Sequence, residues 1–302
     1  MKWFTCSFAA GAAALSFAQP TLDGTRDGTY NLNSVQTVET GFGDNFSELN
    51  AAWSQVQGGM LYIVLTGNLE ANFNKLNIFF DSVAGGQNQL SNDTSNGGTN
   101  PGNDGWAGKY AGFTFDSAFS ADFMLTMRNG NGNTFDIDYA VVGGGASAFE
   151  TASNIFGGST TGANANALSG VGIGVGFNNS NAAGILGGSA AADQSAAQAV
   201  TTGIELAIPL SALGNPNGDI RVSAMINGSN HDYLSNQFLG GLSAPQGNLG
   251  GDGVGGFNGT VGQLNMNNFA GDQFYTIRAV PEPGTMTVLA IAGLGLLRRR
   301  RK

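Results

Sequence analysis

Few residues of this sequence have the types that catalysis requires. His231 is the only histidine and Cys6 the only cysteine. Hydrolase chemistry needs a base beside a nucleophile, or a pair of carboxylates, and zinc sites need clusters of His or Cys. No Gly-x-Ser-x-Gly turn is present. We therefore expect His231, in NGSNHDYLSNQF, to stabilise a loop, and we expect the protein not to be an enzyme.

One carboxylate pair has the spacing of a cation site. Asp136 and Asp138, in FDIDY, share one face of a strand because side chains alternate with a period of two. With Asn or backbone oxygens, such a pair can bind Ca²⁺. The alternative is two solvated residues on the outer face of a sheet. Ca²⁺ at this pair is the one cofactor that the sequence suggests.

The aromatic residues indicate where a sugar could bind. Trp106 lies in NDGWAGKY, a polar loop rich in glycine, and Tyr110 follows four residues later. Exposed aromatic rings stack on sugar rings, so this pair is a candidate glycan contact, with burial beneath the loop as the alternative. Trp53 lies beside an apparent amphipathic turn and is expected in the core. Regular rows of threonine, which a flat ice-binding face requires, are absent.

The charge distribution restricts the partners. The formal net charge is −9, and residues 19–279 alone contain 6 basic and 20 acidic residues, a difference of −14. Nucleic acid and anionic lipid are bound through patches of Lys and Arg, so both are excluded as partners of this region. Divalent cations and neutral glycans remain compatible with it.

The first 18 residues have the organisation of a secretory signal peptide. MKWFTCSFAAGAAALSFA combines one positive charge, an apolar stretch and small residues at Ser16 and Ala18. We expect signal peptidase to cleave between Ala18 and Gln19. Since Cys6 is then removed, the mature protein has no thiol and forms no disulfide.

The last 23 residues combine three further signals. Val280, Pro281, Glu282 and Pro283 precede an apolar run over 286–297. The run spans about 18 Å as a helix, short of the roughly 30 Å hydrocarbon core, so its hold on the membrane should be transient. The basic residues that follow stay on the cytoplasmic side by the positive-inside rule. They are Arg298, Arg299, Arg300, Arg301 and Lys302.

This tail resembles the PEP-CTERM sorting signal, whose three parts occur in the same order at the C-terminus. In that family the signal is read by an exosortase, a membrane-embedded, cysteine transpeptidase-like enzyme of Gram-negative bacteria. The resemblance implies that Pro281, Glu282 and Pro283 are the recognition residues and that the protein is sorted to the cell surface or the extracellular matrix. It also implies an association with exopolysaccharide or biofilm.

The region between the two signals, residues 19–279, predicts one all-β domain. Apolar or alternating runs recur at 60–70, 75–82, 111–117, 121–130, 133–142, 171–177, 203–210, 219–228 and 272–280. Asn-Gly steps within 128–133 predict a hairpin turn. Short helices are expected only near 48–55 and 190–200, and long Gly/Asn-rich surface loops at 85–105, 143–170 and 178–195. The pattern favours an antiparallel β-sandwich of jelly-roll type, followed by a short apolar C-terminal helix.

Three segments of this region also resemble the DOMON and family 9 carbohydrate-binding-module type of sandwich. They are DGTRDGTY, LYIVLTGNLE with NKLNIFFDS, and IELAIPLSALG. That resemblance implies binding of a sugar or a cofactor at one face or end of the sandwich. We therefore expect an exported structural or binding protein, with a glycan-binding or Ca²⁺-binding module as the alternative and a secreted enzyme as a third option.

Overall fold

Strands are the main regular secondary structure of the protein, as the sequence pattern predicts. The computed structural model describes residues 18–92, 106–144 and 149–278. The strands are β1 (Asn31–Val35), β2 (Glu48–Gln57), β3 (Met60–Asn68), β4 (Lys75–Asp81), β5 (Phe123–Gly130), β6 (Thr134–Val141), β7 (Phe149–Ala152), β8 (Thr161–Leu168), β9 (Ile173–Asn178), β10 (Gly203–Pro209), β11 (Ile220–Asn227), β12 (Leu234–Leu239) and β13 (Tyr275–Ile277). Two short helices accompany them, α1 (Trp106–Tyr110) and α2 (Gln194–Ala199).

The strands form two antiparallel sheets packed as a sandwich. The six-stranded sheet has the order β1-β2-β3-β10-β9-β8. The seven-stranded sheet has the order β12-β11-β4-β5-β6-β7, with β13 also paired to β11. Pro20–Ala279 make up one compact unit. The all-β sandwich expected from the sequence is confirmed.

Alternating side chains build the core between the sheets. In β9, Ile173, Val175 and Phe177 are fully buried and belong to the central hydrophobic cluster. The facing sheet contributes Leu125 and Met127 of β5 to the same cluster. Because side chains of a strand alternate between faces, each sheet also has an outer face, which must be covered or solvated.

A layer of loops covers the outer face of the seven-stranded sheet. Phe79 of β4 and Met124 of β5 point away from the central core and join a second hydrophobic cluster. The loop layer contributes a group of buried aromatic residues, namely Trp106, Tyr110, Phe113, Phe115 and Phe119. The rings of Phe79 and Phe115 meet edge to face with centroids 5.0 Å apart. We call this covered surface the sealed face.

Three local expectations are wrong. Residues 48–55 form strand β2 and not a helix, because β2 pairs with β1 on one side and β3 on the other. The loop expected at 143–170 contains β7 and β8, which pair with β6 and β9. The strand expected at 111–117 makes only isolated bridges at Thr114. Ladder hydrogen bonds outweigh intrinsic propensity at such ambiguous segments.

Other local expectations are confirmed. β5 and β6 form the predicted hairpin, with Gly130 paired to Thr134 across the turn. α2 lies within the helix expected near 190–200. The signal peptide up to residue 17, and the sorting tail with its apolar helix, lie outside the described residues. Within the part that is described, no helix is long and apolar enough to cross a membrane.

Candidate binding site

The aromatic pair expected to contact glycan lies inside the sealed face. Trp106 is 3% exposed and Tyr110 is fully buried. The Tyr110 hydroxyl donates to Oδ1 of Asn77 at 3.0 Å and accepts from Nδ2 of Asn227 at 3.1 Å. Burial raises the pKa of this hydroxyl above its usual range. A ring enclosed in this way offers no surface to a sugar, and this corrects the expectation of a glycan contact at Trp106 and Tyr110.

The carboxylate pair expected to bind Ca²⁺ holds an arginine instead. Asp136 and Asp138 do share a face, but Arg128 of the neighbouring strand lies between them. Its Nε is 3.2 Å from Asp136, and its Nη1 is 2.6 Å from Asp138. Thr151 donates a further bond to Asp138. Among the described residues no group of three or more His, Cys, Asp or Glu is arranged to hold a metal. The guanidinium therefore lies between the two carboxylates that were expected to bind Ca²⁺.

His231 lies in the loop between β11 and β12. Its backbone has φ of 56°, and its N–H donates to the carbonyl of Gly228 at 3.1 Å. The imidazole is fully buried, with Nδ1 3.5 Å from Nδ2 of Asn77 and the ring 6.1 Å from that of Tyr110. These contacts tie the loop to the sealed face, which is the loop-stabilising role expected of His231.

The outer face of the six-stranded sheet is built differently. In β9 the residues between the buried apolar side chains are Gly174 and Gly176, so that strand is flat on this side. The segment Leu22–Tyr30, which we call the strap, crosses the flat surface. A Cβ at Gly176 would lie 2.5 Å from the backbone nitrogen of Gly24, and one at Gly174 would lie 2.9 Å from Cδ2 of Leu22. Only glycine at these positions permits so close an approach.

A buried glutamate anchors the strap. Glu205 of β10 is fully buried, and its Oε2 accepts the backbone N–H of Asp23 at 2.9 Å and of Gly24 at 3.0 Å. Its Oε1 accepts the hydroxyl of Tyr30 at 2.5 Å. Desolvation raises the pKa of Glu205, and these three hydrogen bonds partly oppose the shift. Burial and the carboxylate also raise the pKa of Tyr30.

The strap brings the guanidinium of Arg26 over the ring of Trp53. The Arg26 N–H donates to the carbonyl of Thr201 at 2.8 Å, and this bond fixes the backbone beside the sheet. The guanidinium carbon lies 3.9 Å from the ring centroid of Trp53, the distance of a cation–π contact. Trp53 is 7% exposed and belongs to a small cluster with Tyr30 and Tyr62. Trp53 was expected in the core, and it is buried there, in the cluster on this outer face of the six-stranded sheet.

An open hollow of about 350 Å³ adjoins this contact. It is lined by Arg26 of the strap, Trp53 of β2, and Ser195, Gln198 and Ala199 of α2. Nε of Arg26 and Nε1 of Trp53 are shielded from solvent and have no hydrogen-bond partner within the described ranges. An apolar ring, a cation and two polar side chains around one hollow are the components of a small-molecule site.

Sequence reasoning missed this site for a physical reason. The signal lies in the alternation of VGIGVGF, where every second residue is glycine, and in the position of Glu205 within the otherwise apolar GIELAIPL. A carboxylate inside an apolar strand requires partners. Those partners come from residues more than 170 positions earlier in the chain, which no local pattern reveals.

Comparison with known proteins identifies the C-terminal segment. The family model for the PEP-CTERM protein-sorting motif matches residues 279–302. No curated protein and no solved structure matches the chain. The protein therefore carries the PEP-CTERM sorting motif, the mark of an exported protein that an exosortase sorts to the cell surface. The resemblance of the sandwich to DOMON and family 9 carbohydrate-binding modules stays a prediction.

Proposed function

We propose that this protein binds glycan of the exopolysaccharide or biofilm matrix at the cell surface, without catalysis. The observation that carries the proposal is the hollow lined by Arg26, Trp53 and polar side chains of α2, because the small part of the indole that stays exposed there lies next to groups that can bind sugar hydroxyls. The sorting motif at residues 279–302 supports the location. Signal peptidase and an exosortase are the processing partners in this proposal.

Binding of the producing cell's own exopolysaccharide tests the proposal. Mature protein from the cell surface should cosediment with this polysaccharide, and Trp53→Ala should lower the affinity by at least tenfold. Phe257→Ala is the matched control, since that ring is 69% exposed and lies outside the hollow. Equal retention of both variants would contradict the proposal.

The sorting step has a separate test. Glu282→Ala should leave export intact, because the N-terminal signal is independent of the tail. It should block processing, so that the full-length chain accumulates in the membrane fraction. Deleting Arg298–Lys302 should instead remove the cytoplasmic stop and release unprocessed chain. If Glu282→Ala protein were cut and distributed like the parent, exosortase recognition of Pro281, Glu282 and Pro283 would be wrong.

A structural role in the matrix is the second candidate, and β8 favours it. This strand ends the six-stranded sheet in the described region, is mostly exposed, and has no charged residue in TGANANAL. An uncharged edge strand can pair with a second copy of the chain. Light scattering of the mature protein should then detect association that Asn164→Lys abolishes; a monomer at all concentrations would rule the candidate out.

A further inference from the structure

Arg26 lies at a hollow and, like the exposed Arg278, forms no ion pair within the described part of this acidic protein. Lys109, Arg128 and Arg221 each form an ion pair with an aspartate. Arg26 has no carboxylate within ion-pair distance among residues 18–92, 106–144 and 149–278. In a region with 20 acidic and 6 basic residues, a cation without such a partner is a charge left available for a ligand.

The surroundings of Arg26 suit an anionic sugar. A planar guanidinium forms paired hydrogen bonds with a carboxylate, and the exposed part of Trp53 adds a small apolar surface next to it. Ser195 and Gln198 also line the hollow and add hydroxyl and amide groups. The volume of about 350 Å³ lies at the small end of ligand sites, which suits one or two sugar rings.

From these observations we infer that the hollow binds a uronic acid residue, with its carboxylate on Arg26 and its ring against Trp53. The inference rests on the proposed glycan-binding function and names the class of sugar. The difference of −14 between basic and acidic residues in 19–279 repels a densely charged polyanion. The ligand is therefore a polysaccharide in which uronic acid residues are separated by neutral sugars.

The strap is part of this site, because it carries Arg26. Two backbone N–H groups of the strap are bound by Glu205, and Arg26 follows two residues after the second of them. Glu205 is thus a positioning residue. Glu205→Gln keeps the shape of the side chain but replaces one hydrogen-bond-accepting oxygen by a donating NH₂ group. The variant should therefore weaken uronate binding several-fold while it leaves the Trp53 ring in place.

The test uses two defined sugars on mature protein isolated from the cell surface. Methyl β-D-glucuronide and methyl β-D-glucoside are titrated while the indole N–H resonance of Trp53 is followed by NMR. The glucuronide should shift that resonance saturably, with at least tenfold higher affinity than the glucoside. Arg26→Gln should abolish the preference and Arg26→Lys should keep part of it. The matched control is Arg221→Gln, which removes a half-exposed arginine paired with Asp81 and should change nothing.

The outcomes separate this inference from the broader proposal. If both sugars bind equally and Arg26→Gln has no effect, uronate recognition is wrong while glycan binding stands. If neither sugar shifts the resonance and the polysaccharide does not bind, both are wrong. A preference for the glucuronide that survives Arg26→Gln would overturn the role of the arginine.

Discussion

The two outer faces of the sandwich are covered in different ways. The sealed face is covered by loops whose aromatic rings pack into a second core. The opposite face is crossed by the strap, which is held by a buried carboxylate and leaves a hollow beside it. Aromatic residues are buried on both faces, but on the second face one of them, Trp53, also lines a ligand-sized hollow. The role of a tryptophan here depends on what covers it, and the polarity of its sequence neighbours does not reveal this.

The largest expected effect is on the sealed face. Phe115 is buried in the loop layer and contacts the rings of Phe79, Phe113 and Phe119. Phe115→Ala should lower the free energy of unfolding by about 3–5 kcal/mol, because it removes the buried ring and leaves a cavity. Urea unfolding measures this change. The exposed-ring control, Phe257→Ala, should stay within about 0.5 kcal/mol; similar values for both variants would mean that the loop layer is not a packed core.

The ion pairs at the edge of the sealed face give the next effect. Arg128→Met should cost about 3 kcal/mol, because it leaves two carboxylates with little solvent. Arg221→Met, which breaks a pair whose arginine side chain is 44% exposed, should cost less than about 1 kcal/mol. Ca²⁺ should leave the unfolding midpoint of the parent unchanged relative to EDTA. A rise of several degrees with Ca²⁺ would restore a metal site at Asp136 and Asp138.

A substitution that releases the strap should lower the free energy of unfolding less than the substitutions on the sealed face. Glu205→Ala leaves two backbone N–H groups and the Tyr30 hydroxyl without their acceptor, at a cost of about 1–3 kcal/mol. Hydrogen exchange should accelerate at Asp23 and Gly24 while the amides of β5 stay protected. Asp219→Ala, at an exposed position, is the control. Uniform acceleration over the whole sandwich would show that the strap is not a separate unit.

The smallest effect is a pH dependence shared by both faces. Desolvation raises the pKa of Asp116, Asp122, Glu48 and Glu205. The folded state therefore retains these protons to higher pH than the unfolded state, and stability falls as the pH rises above about 4. The lowered pKa of Asp252 acts in the opposite direction, but this group is fully exposed. We expect a higher unfolding midpoint at pH 5 than at pH 7.

Glu205→Gln should make the unfolding midpoint depend less on pH, because it removes one of the buried titrating groups. Scanning calorimetry at a series of pH values measures both effects. A midpoint that increases from pH 5 to pH 7 would contradict the cause assigned to the raised pKa values.

Sequence periodicity predicts the fold better than the site. The strands with a continuous apolar run or a clear alternation, such as LYIVLTGN and FMLTMRNG respectively, lie close to where their patterns put them. β2 and β8 were missed because ELNAAWSQVQ and TGANANAL have no strong period, and pairing with neighbours determines their structure. The site was missed because Arg26, Trp53 and α2 are distant in sequence and meet only when the strap crosses the sheet.

The central claim is that the face carrying Trp53 binds glycan and the face carrying Trp106 does not. Residues 19–302 contain only these two tryptophans, so in protein that begins at Gln19 the variants Trp106→Phe and Trp53→Phe each leave a single tryptophan. Titration with the producing cell's exopolysaccharide should give a saturable change of emission in Trp106→Phe, where Trp53 reports, and none in Trp53→Phe. A saturable change in Trp53→Phe alone would place binding on the sealed face and contradict this account.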